Sequence, residues 1–543
     1  MQRNELATYE GATGFIIDWA ITGFFPNGTD CDHDPDLYEP KRSRLWKKDY
    51  LAPWGGAAAI RNFPRVRGGA AIEWLPVRSD GYAPKVWLTQ LLHTCPELAK
   101  AFPGESKWDH QWYALAIIES DTAQDAELRL CGQDGCQVWW NGKFVLEEHS
   151  WHKLVFDLNV IPVRLKKGRN ALLLKLDRYG LLARITSPGG GRLKGTVQAL
   201  SGAKPRPNLL GTFAQLSAYA KTLRVTKPCR AKTVAEYLRW RRDALAHFQK
   251  CMGPFPRLPA KRPATLVEKV ACDGYTRFRY HLMREADSIL PVYVLVPDRK
   301  RFNGRTVICP HGHGQDDKVV AGVKPPAKPY NNWFGPFTGN YAEQMAQAGF
   351  LTATWSERTL SHERNDSFCG KDPCDVAGLC ALSMGMTLPG LNLFDLHGVT
   401  DFVATLPGVK KSRIGLMGLS GGGLMTYLAG AYNERFRAVA VFCGLLSYAE
   451  YAMEGSCGQQ VVPGLYPTLD AGELLCLMAP RPLLLAQGRR DVIFNTFLLQ
   501  RYARQARQAY GLLGQTKRVE VCLYDLAHQV KIEAAVDFFT RSL

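Results

Sequence analysis

From about residue 265 onward, short apolar runs without polar alternation keep taking turns with stretches long enough for helices. PVYVLVP, TVICPHGHG, FLTATWSERT, RIGLMGLS, AVAVFCG, RPLLLAQG and RVEVCLYDL read as strands. YAEQMAQAG, FDLHGVTDFVATLPG, GGLMTYLAGAY, FLLQRYARQARQAYG and KIEAAVDFFTRS read as helices. A strand with no polar face must be covered on both sides. The pattern therefore predicts an α/β fold, a mostly parallel sheet with helices on both faces.

The first 200 or so residues read differently. GFIIDWAITGFF, AAIEWLPV, QWYALAIIES, AELRLCG, CQVWWNGKFV, NALLLKLDRYG and LLARITSP are apolar or alternating runs cut by Gly, Pro, Asn and Asp. Asn141-Gly142 between two apolar runs predicts a hairpin, because both central residues of its turn need positive φ. Trp139 and Trp140 then face opposite sides of one strand, so at most one is an exposed platform and at least one is core. SPGGGRLKG and SGAKPRPN mark a boundary region near 187–208, and apolar spacings of three and four from Lys232 to Leu245 predict a helix. The predicted layout is an all-β sandwich over 1–200, a linker and helical segment over 201–262, and the α/β domain over 263–543.

Composition narrows the partners. The chain has 543 residues and a formal net charge of +18, but Lys and Arg are scattered, with no long basic run and no nucleic-acid motif. The fifteen cysteines are odd in number, spread from Cys31 to Cys522, and form no Cys-x-x-Cys, which suits free thiols in a reducing compartment. No apolar leader core follows the start, and no run of about eighteen apolar residues spans a membrane. The expectation is a cytoplasmic enzyme, a removed leader aside, with no nucleic-acid and no membrane partner.

Chemistry first surfaces in MGLSGGGLM, where Ser420 stands between the strand RIGLM and a helix starting near Gly422. Gly-x-Ser-x-Gly at a strand-to-helix turn holds a serine in a strained conformation, with its hydroxyl exposed and small neighbours avoiding clashes. Alone the motif is weak, and its partners decide. In α/β-hydrolases the acid and then the base follow the serine. Asp491 stands in the loop after LLLAQG, and His528 follows the last strand as the sole histidine after His397. An aspartate can orient an imidazole, which takes the serine proton and returns it to the leaving group. Asp525 is a weaker rival acid, too close in sequence to His528 to come from a separate loop. PHGHG after TVIC can bend across the site, offering the N–H of His313 beside that of Gly421 as an oxyanion hole. His311 and His313 form a His-x-His pair, but no third ligand stands at suitable spacing, and Cys369, Cys374 and Cys380 read as small buried residues. No metal and no cofactor are therefore expected.

From about residue 230 to the end, the chain resembles the α/β-hydrolase superfamily, nearest its acetyl xylan esterase-like and dienelactone hydrolase-like branches. The resemblance rests on PHGHG, WSER, LPGLNLFDLHGVTDFVATLPGVKKSRIGLMGLSGGG, APRPLLLAQGRRDVIF and His528. It implies Ser420 as nucleophile, Asp491 as acid and His528 as base, with a covalent acyl-enzyme released by water. Glucuronoyl esterases, similar around APRP, carry an arginine directly after the nucleophile where this chain has Gly421, which argues against a uronic ester. The resemblance also sets Glu357 and Arg358, at the strand end after Trp355, and His311 beside the site, supporting it or touching substrate. Residues 1 to 200 resemble the jelly-roll, galactose-binding-like modules that accompany carbohydrate-active enzymes. Together these imply a serine hydrolase acting on a small-molecule or oligosaccharide ester, the acetyl ester of a carbohydrate foremost. The alternatives are a prolyl oligopeptidase-like peptidase, a carbohydrate-binding protein with an inert hydrolase domain, and a thioesterase-like reaction. Residues 368–388 are expected to wall the acyl pocket.

Overall fold

A computed structural model describes the chain except residues 1, 10–11, 27–43, 63–73, 79–84, 88–109, 134, 149–153, 155, 178–179, 202–214, 217–218, 221, 260–262, 286, 314–315, 324–338, 365–371, 450–456, 490, 492 and 495. The chain divides into two compact units, Met1–Leu223 and Arg224–Leu543.

The first unit is a β-sandwich. One antiparallel sheet runs in the order Gln2–Glu5, Val197–Ser201, His110–Ser120, Gly168–Asp177, Cys136–Trp140, Lys143–Glu148, with Asp18–Pro26 also pairing His110–Ser120. The other runs Asn159–Leu165, Gln124–Gly132, Gly180–Thr186, Ala12–Phe15, Ala7–Tyr9. Trp19, Trp112, Leu128, Val138 and Leu174 fill the space between them. GFIIDWAITGFF reads as one strand but is two, Ala12–Phe15 in one sheet and Asp18–Pro26 in the other. Asn141 and Gly142 take φ of 49° and 77°, as their turn requires. Trp140 lies in the core and donates from its indole to the Arg164 carbonyl at 3.1 Å. Trp139, on the other face, packs edge-on against Phe144.

The segment expected as linker and helix, 201–262, belongs partly to the second unit. SGAKPRPN falls almost wholly outside the described residues. Helix Val234–Cys251 starts at a capping box, the Thr233 hydroxyl accepting from the Glu236 N–H while the Glu236 side chain accepts from the Thr233 N–H. It runs six residues past its predicted end and buries Tyr237, Ala244 and Phe248, with the Tyr237 hydroxyl donating to the Cys476 carbonyl at 2.8 Å.

The second unit is built on nine strands: β1 (Ala264–Cys272), β2 (Tyr275–Glu285), β3 (Ser288–Pro297), β4 (Thr306–Ile308), β5 (Leu351–Trp355), β6 (Ile414–Leu419), β7 (Ala438–Phe442), β8 (Leu483–Gly488) and β9 (Val519–Tyr524). Their order is β1-β2-β3-β5-β4-β6-β7-β8-β9. The pairs from β5 to β9 are all parallel, and those from β1 through β3 to β5 are antiparallel. The strands β4 to β8 are buried at every position, which matches their lack of alternation. The hairpin β1–β2 has no such signature: TRFRYHLMRE is basic and its strands are largely exposed or half-buried.

Candidate active site

Every residue singled out for chemistry follows the C-terminal end of one of the parallel strands: His313 follows β4, Glu357 β5, Ser420 β6, Asp491 β8 and His528 β9. In an open parallel sheet the carboxyl ends of the strands form one rim, where ligands bind. The topology thus delivers to one edge residues drawn from more than 200 positions of sequence.

Ser420 stands between β6 and helix Gly421–Tyr432 with φ 61° and ψ −123°, a conformation that a non-glycine residue holds at a cost of about 1–3 kcal/mol. Two backbone bonds hold it: its N–H donates to the Phe442 carbonyl at 3.1 Å, and its carbonyl accepts from Leu424 at 2.9 Å. The turn closes against the loop after β4. A Cβ on Gly422 would stand 2.2 Å from the Pro310 carbonyl oxygen, so only glycine fits there. A Cβ on Gly421 would stand 3.2 Å from the Gly312 Cα and 3.6 Å from the His313 backbone nitrogen, so the two amide groups proposed for an oxyanion hole are near neighbours.

β8 and β9 are adjacent and parallel, so the loops that follow them meet. There the His528 Nδ1 lies 3.0 Å from Asp491 Oδ2, both side chains almost wholly buried. Asp491 Oδ1 accepts the backbone N–H of Ile493 and Phe494 at 2.8 and 3.1 Å, which aims the other oxygen at the imidazole. The Phe494 ring stacks on His528, with centroids 5.8 Å apart and planes 13° from parallel.

Sequence reasoning missed Cys443. It follows β7, holds φ 42°, and its sulfur lies within 4.8 Å of the nearest ligand atoms of Asp491 and His528. Burial, with the Asp491 carboxylate beside it, pushes the thiol well above its ordinary range and keeps it protonated. No pattern marks such a residue, since only the fold brings it to the acid.

The structure buries His311 and Glu357 and joins them to each other. His311 is fully buried; its Nε2 accepts the Glu357 N–H at 3.2 Å and its Nδ1 lies 3.2 Å from the Gly312 carbonyl. A ring that accepts at one nitrogen is neutral, so His311 staples the loop after β4 to that after β5. The Glu357 carboxyl is buried, and neither oxygen has a hydrogen-bond partner of ordinary geometry among the described residues. Arg358 takes its carboxylates elsewhere, binding Asp395 through Nε at 2.8 Å and Nη2 at 2.9 Å, and also Glu285. Arg364 joins Asp395 at 2.7 Å. Burial alone would raise the Asp395 carboxyl; the Arg364 and Arg358 guanidiniums outweigh it and hold the group below its ordinary value. Sequence reasoning missed Asp395, although a charge inside the apolar helix LPGLNLFDLHGV is the signal that could have found it.

Glu357 carries a prediction about pH. Burial pushes its carboxyl well above the ordinary range, so the folded chain keeps a proton that the unfolded chain releases. Stability through this group is therefore greatest near and below pH 4.5 and declines as pH rises toward the folded-state value. Glu357→Gln is expected to flatten that decline, bringing the denaturant midpoints at pH 5 and pH 8 closer together than in the wild type. Equal spacing in both proteins would mean the carboxylate finds compensation on ionising.

A strained serine between a buried parallel strand and a helix, on a sheet of this order, defines an α/β-hydrolase fold. Family comparison agrees: residues 220–526, more than half the chain, match the Abhydrolase family, and the chain belongs to it. An uncharacterized protein of Pseudomonas aeruginosa is 29% identical over 171 residues, 31% of this chain and 42% of that protein. YtaP of Bacillus subtilis, a candidate hydrolase, is 27% identical over 114 residues, 20% of this chain and 38% of that protein. The matches thus span about two fifths of each curated relative. Among solved structures, a candidate acetyl xylan esterase from Bacteroides fragilis superposes with a TM-score of 0.52 at 17% identity, covering 62% of this chain and 96% of that one, a likeness of fold.

Proposed function

We propose that this protein is a serine hydrolase that cleaves carboxylic esters through an acyl-enzyme, its substrate an acetyl or related acyl ester of a carbohydrate. The observation that carries the reading is the buried Asp491–His528 pair, 3.0 Å apart, on the same sheet rim as a serine held at positive φ. In this scheme Ser420 Oγ attacks the ester carbonyl while His528 takes its proton, and Asp491 steadies the imidazolium that forms. The N–H groups of Gly421 and His313 donate hydrogen bonds to the developing oxyanion, each donor worth about 3 kcal/mol. Collapse expels the alcohol with the proton from His528; water, deprotonated by the same imidazole, then releases the acid and restores Ser420. The carbohydrate alcohol is favoured by the β-sandwich unit and by the description of the Bacteroides fragilis neighbour.

The test is hydrolysis of p-nitrophenyl acetate and butyrate, acetylated xylo-oligosaccharides and a proline p-nitroanilide by the full chain, with a fluorophosphonate label to locate the reactive serine. Ester turnover, preference for the sugar acetates and label on Ser420 are the expected results. Amide turnover exceeding ester turnover would replace the reading with a peptidase, and label on another serine would remove the site.

A further inference from the structure

His-x-His in PHGHG lacks a third ligand nearby in sequence, but the fold supplies two. His313 Nε2 lies 3.2 Å from Cys457 Sγ and 3.5 Å from Cys374 Sγ, and the three atoms all lie within 4.8 Å of one another. The sulfurs come from 144 and 61 residues away.

Hydrogen bonding accounts for only part of this arrangement: the Thr359 hydroxyl lies 3.1 Å from Cys374 Sγ and can serve that sulfur. Nε2 of an imidazole carries one lone pair or one proton, so it serves one thiol fully and not two. A cation among the three atoms satisfies all of them. Tetrahedral zinc with bonds of about 2.3 Å to sulfur and 2.0–2.1 Å to nitrogen separates its nitrogen and sulfur ligands by roughly 3.6 Å. The observed separations lie close to that value. Two thiolates and an imidazole are the donors zinc prefers over calcium or magnesium.

The sulfurs are fixed by backbone packing. Cys374 opens helix Pro373–Ser383, its N–H capped by Asp372 Oδ1 at 2.8 Å. A Cβ on Gly458 would stand 2.0 Å from the Cys374 carbonyl oxygen, so the segment bearing Cys457 lies directly against that first turn. The Gly458 N–H also donates to Asp375 Oδ1 at 2.9 Å. Asp372 and Asp375 each bring a carboxylate oxygen within 4.8 Å of the Cys457 sulfur, negative charge that favours a cation.

We propose that His313, Cys374 and Cys457 bind a zinc ion that ties the loop after β4 to helix Pro373–Ser383 and the 457–458 segment. The site stands on its own geometry; its consequence for catalysis rests on the hydrolase reading. Zinc on Nε2 leaves the proton on Nδ1, the atom that would lie 3.3 Å from a Cβ on Gly421. The metal would thus set the tautomer and position of the ring beside the serine turn, making His313 a positioning residue.

The experiment uses the full chain, reduced and supplied with zinc sulfate, then freed of loose metal by gel filtration. Bound zinc is measured by mass spectrometry of the metal in the wild type, Cys374→Ser, Cys457→Ser and Ser420→Ala. The expected result is about one zinc per chain in the wild type and in Ser420→Ala, and its loss in both cysteine variants. Cobalt(II) replaces zinc in a parallel titration of the wild type, where a thiolate-to-cobalt charge-transfer band is expected; this reading does not depend on how any variant folds. Zinc retained in both cysteine variants, no charge-transfer band in the reduced wild type, or a Cys374–Cys457 disulfide that survives reduction would overturn the proposal. Because Ser420→Ala is silent toward zinc, a dead esterase and an absent metal are read separately.

Discussion

Ser420→Ala is expected to lower kcat on p-nitrophenyl acetate by about 10⁴-fold or more while leaving the fold in place. When the nucleophile of an acyl-transfer triad is removed, what persists comes from the oxyanion hole and substrate binding. Stability should hardly change. The Ser420 side chain makes no capping bond to its helix, and alanine bears the same cost at φ 61°. Ser420→Gly separates the two effects. It removes the nucleophile equally but relieves the positive φ, so it should be inactive and more stable than the wild type by about 1 kcal/mol. Activity retained in either variant would show that the strained serine is not the reacting group. A glycine variant less stable than the wild type would show that the hydroxyl does structural work.

Gly422→Ala is the second large effect, and it falls on stability. The new methyl would stand 2.2 Å from the Pro310 carbonyl oxygen and close to the His311 backbone, with no flexible side chain able to give way. The helix must then move off the loop, breaking the turn that holds Ser420. A cost of about 4 kcal/mol or more is expected, at the upper end of overpacking effects and a large share of a domain's stability. Chemical denaturation measures it directly, and failure to accumulate as soluble protein is the same outcome in harsher form. Gly511→Ala is the control. It lies near the end of helix Thr496–Leu512, meets only the Thr516 hydroxyl at 3.2 Å, and should change stability by no more than about 1 kcal/mol. Equal behaviour of the two variants would mean that the loop after β4 yields easily.

What could be read in advance follows the physics of each element. The strands β4 to β8 were legible because covered strands drop their polar alternation, and the serine turn because only small residues surround so tight a bend. Asp491 and His528 were chosen by their order along the chain, and the structure brings them within hydrogen-bond distance. The hairpin β1–β2 was missed: its basic, half-exposed strands look like ordinary surface. Cys443 at the acid and the convergence of Cys374 and Cys457 on His313 are products of long-range packing. Local spacing carries no trace of them. Setting Glu357 and Arg358 together beside the site did not foresee that adjacent residues at a strand end meet different surroundings, one carboxyl buried and the guanidinium drawn to Asp395.

The order of strands along the chain also has a meaning in time. β6 and its serine emerge from the ribosome roughly 100 residues before the loop that carries His528, an interval of about 5–20 s at ordinary rates of synthesis. On the proposed hydrolase reading, the nascent chain holds throughout that interval a nucleophile without the base assigned to it. Because β9 is an edge strand of the sheet, the proposed base joins the site only after β6 and β8 have been made. On the same proposed reading, a half-made polypeptide of this design is chemically mute toward esters until His528 is in place.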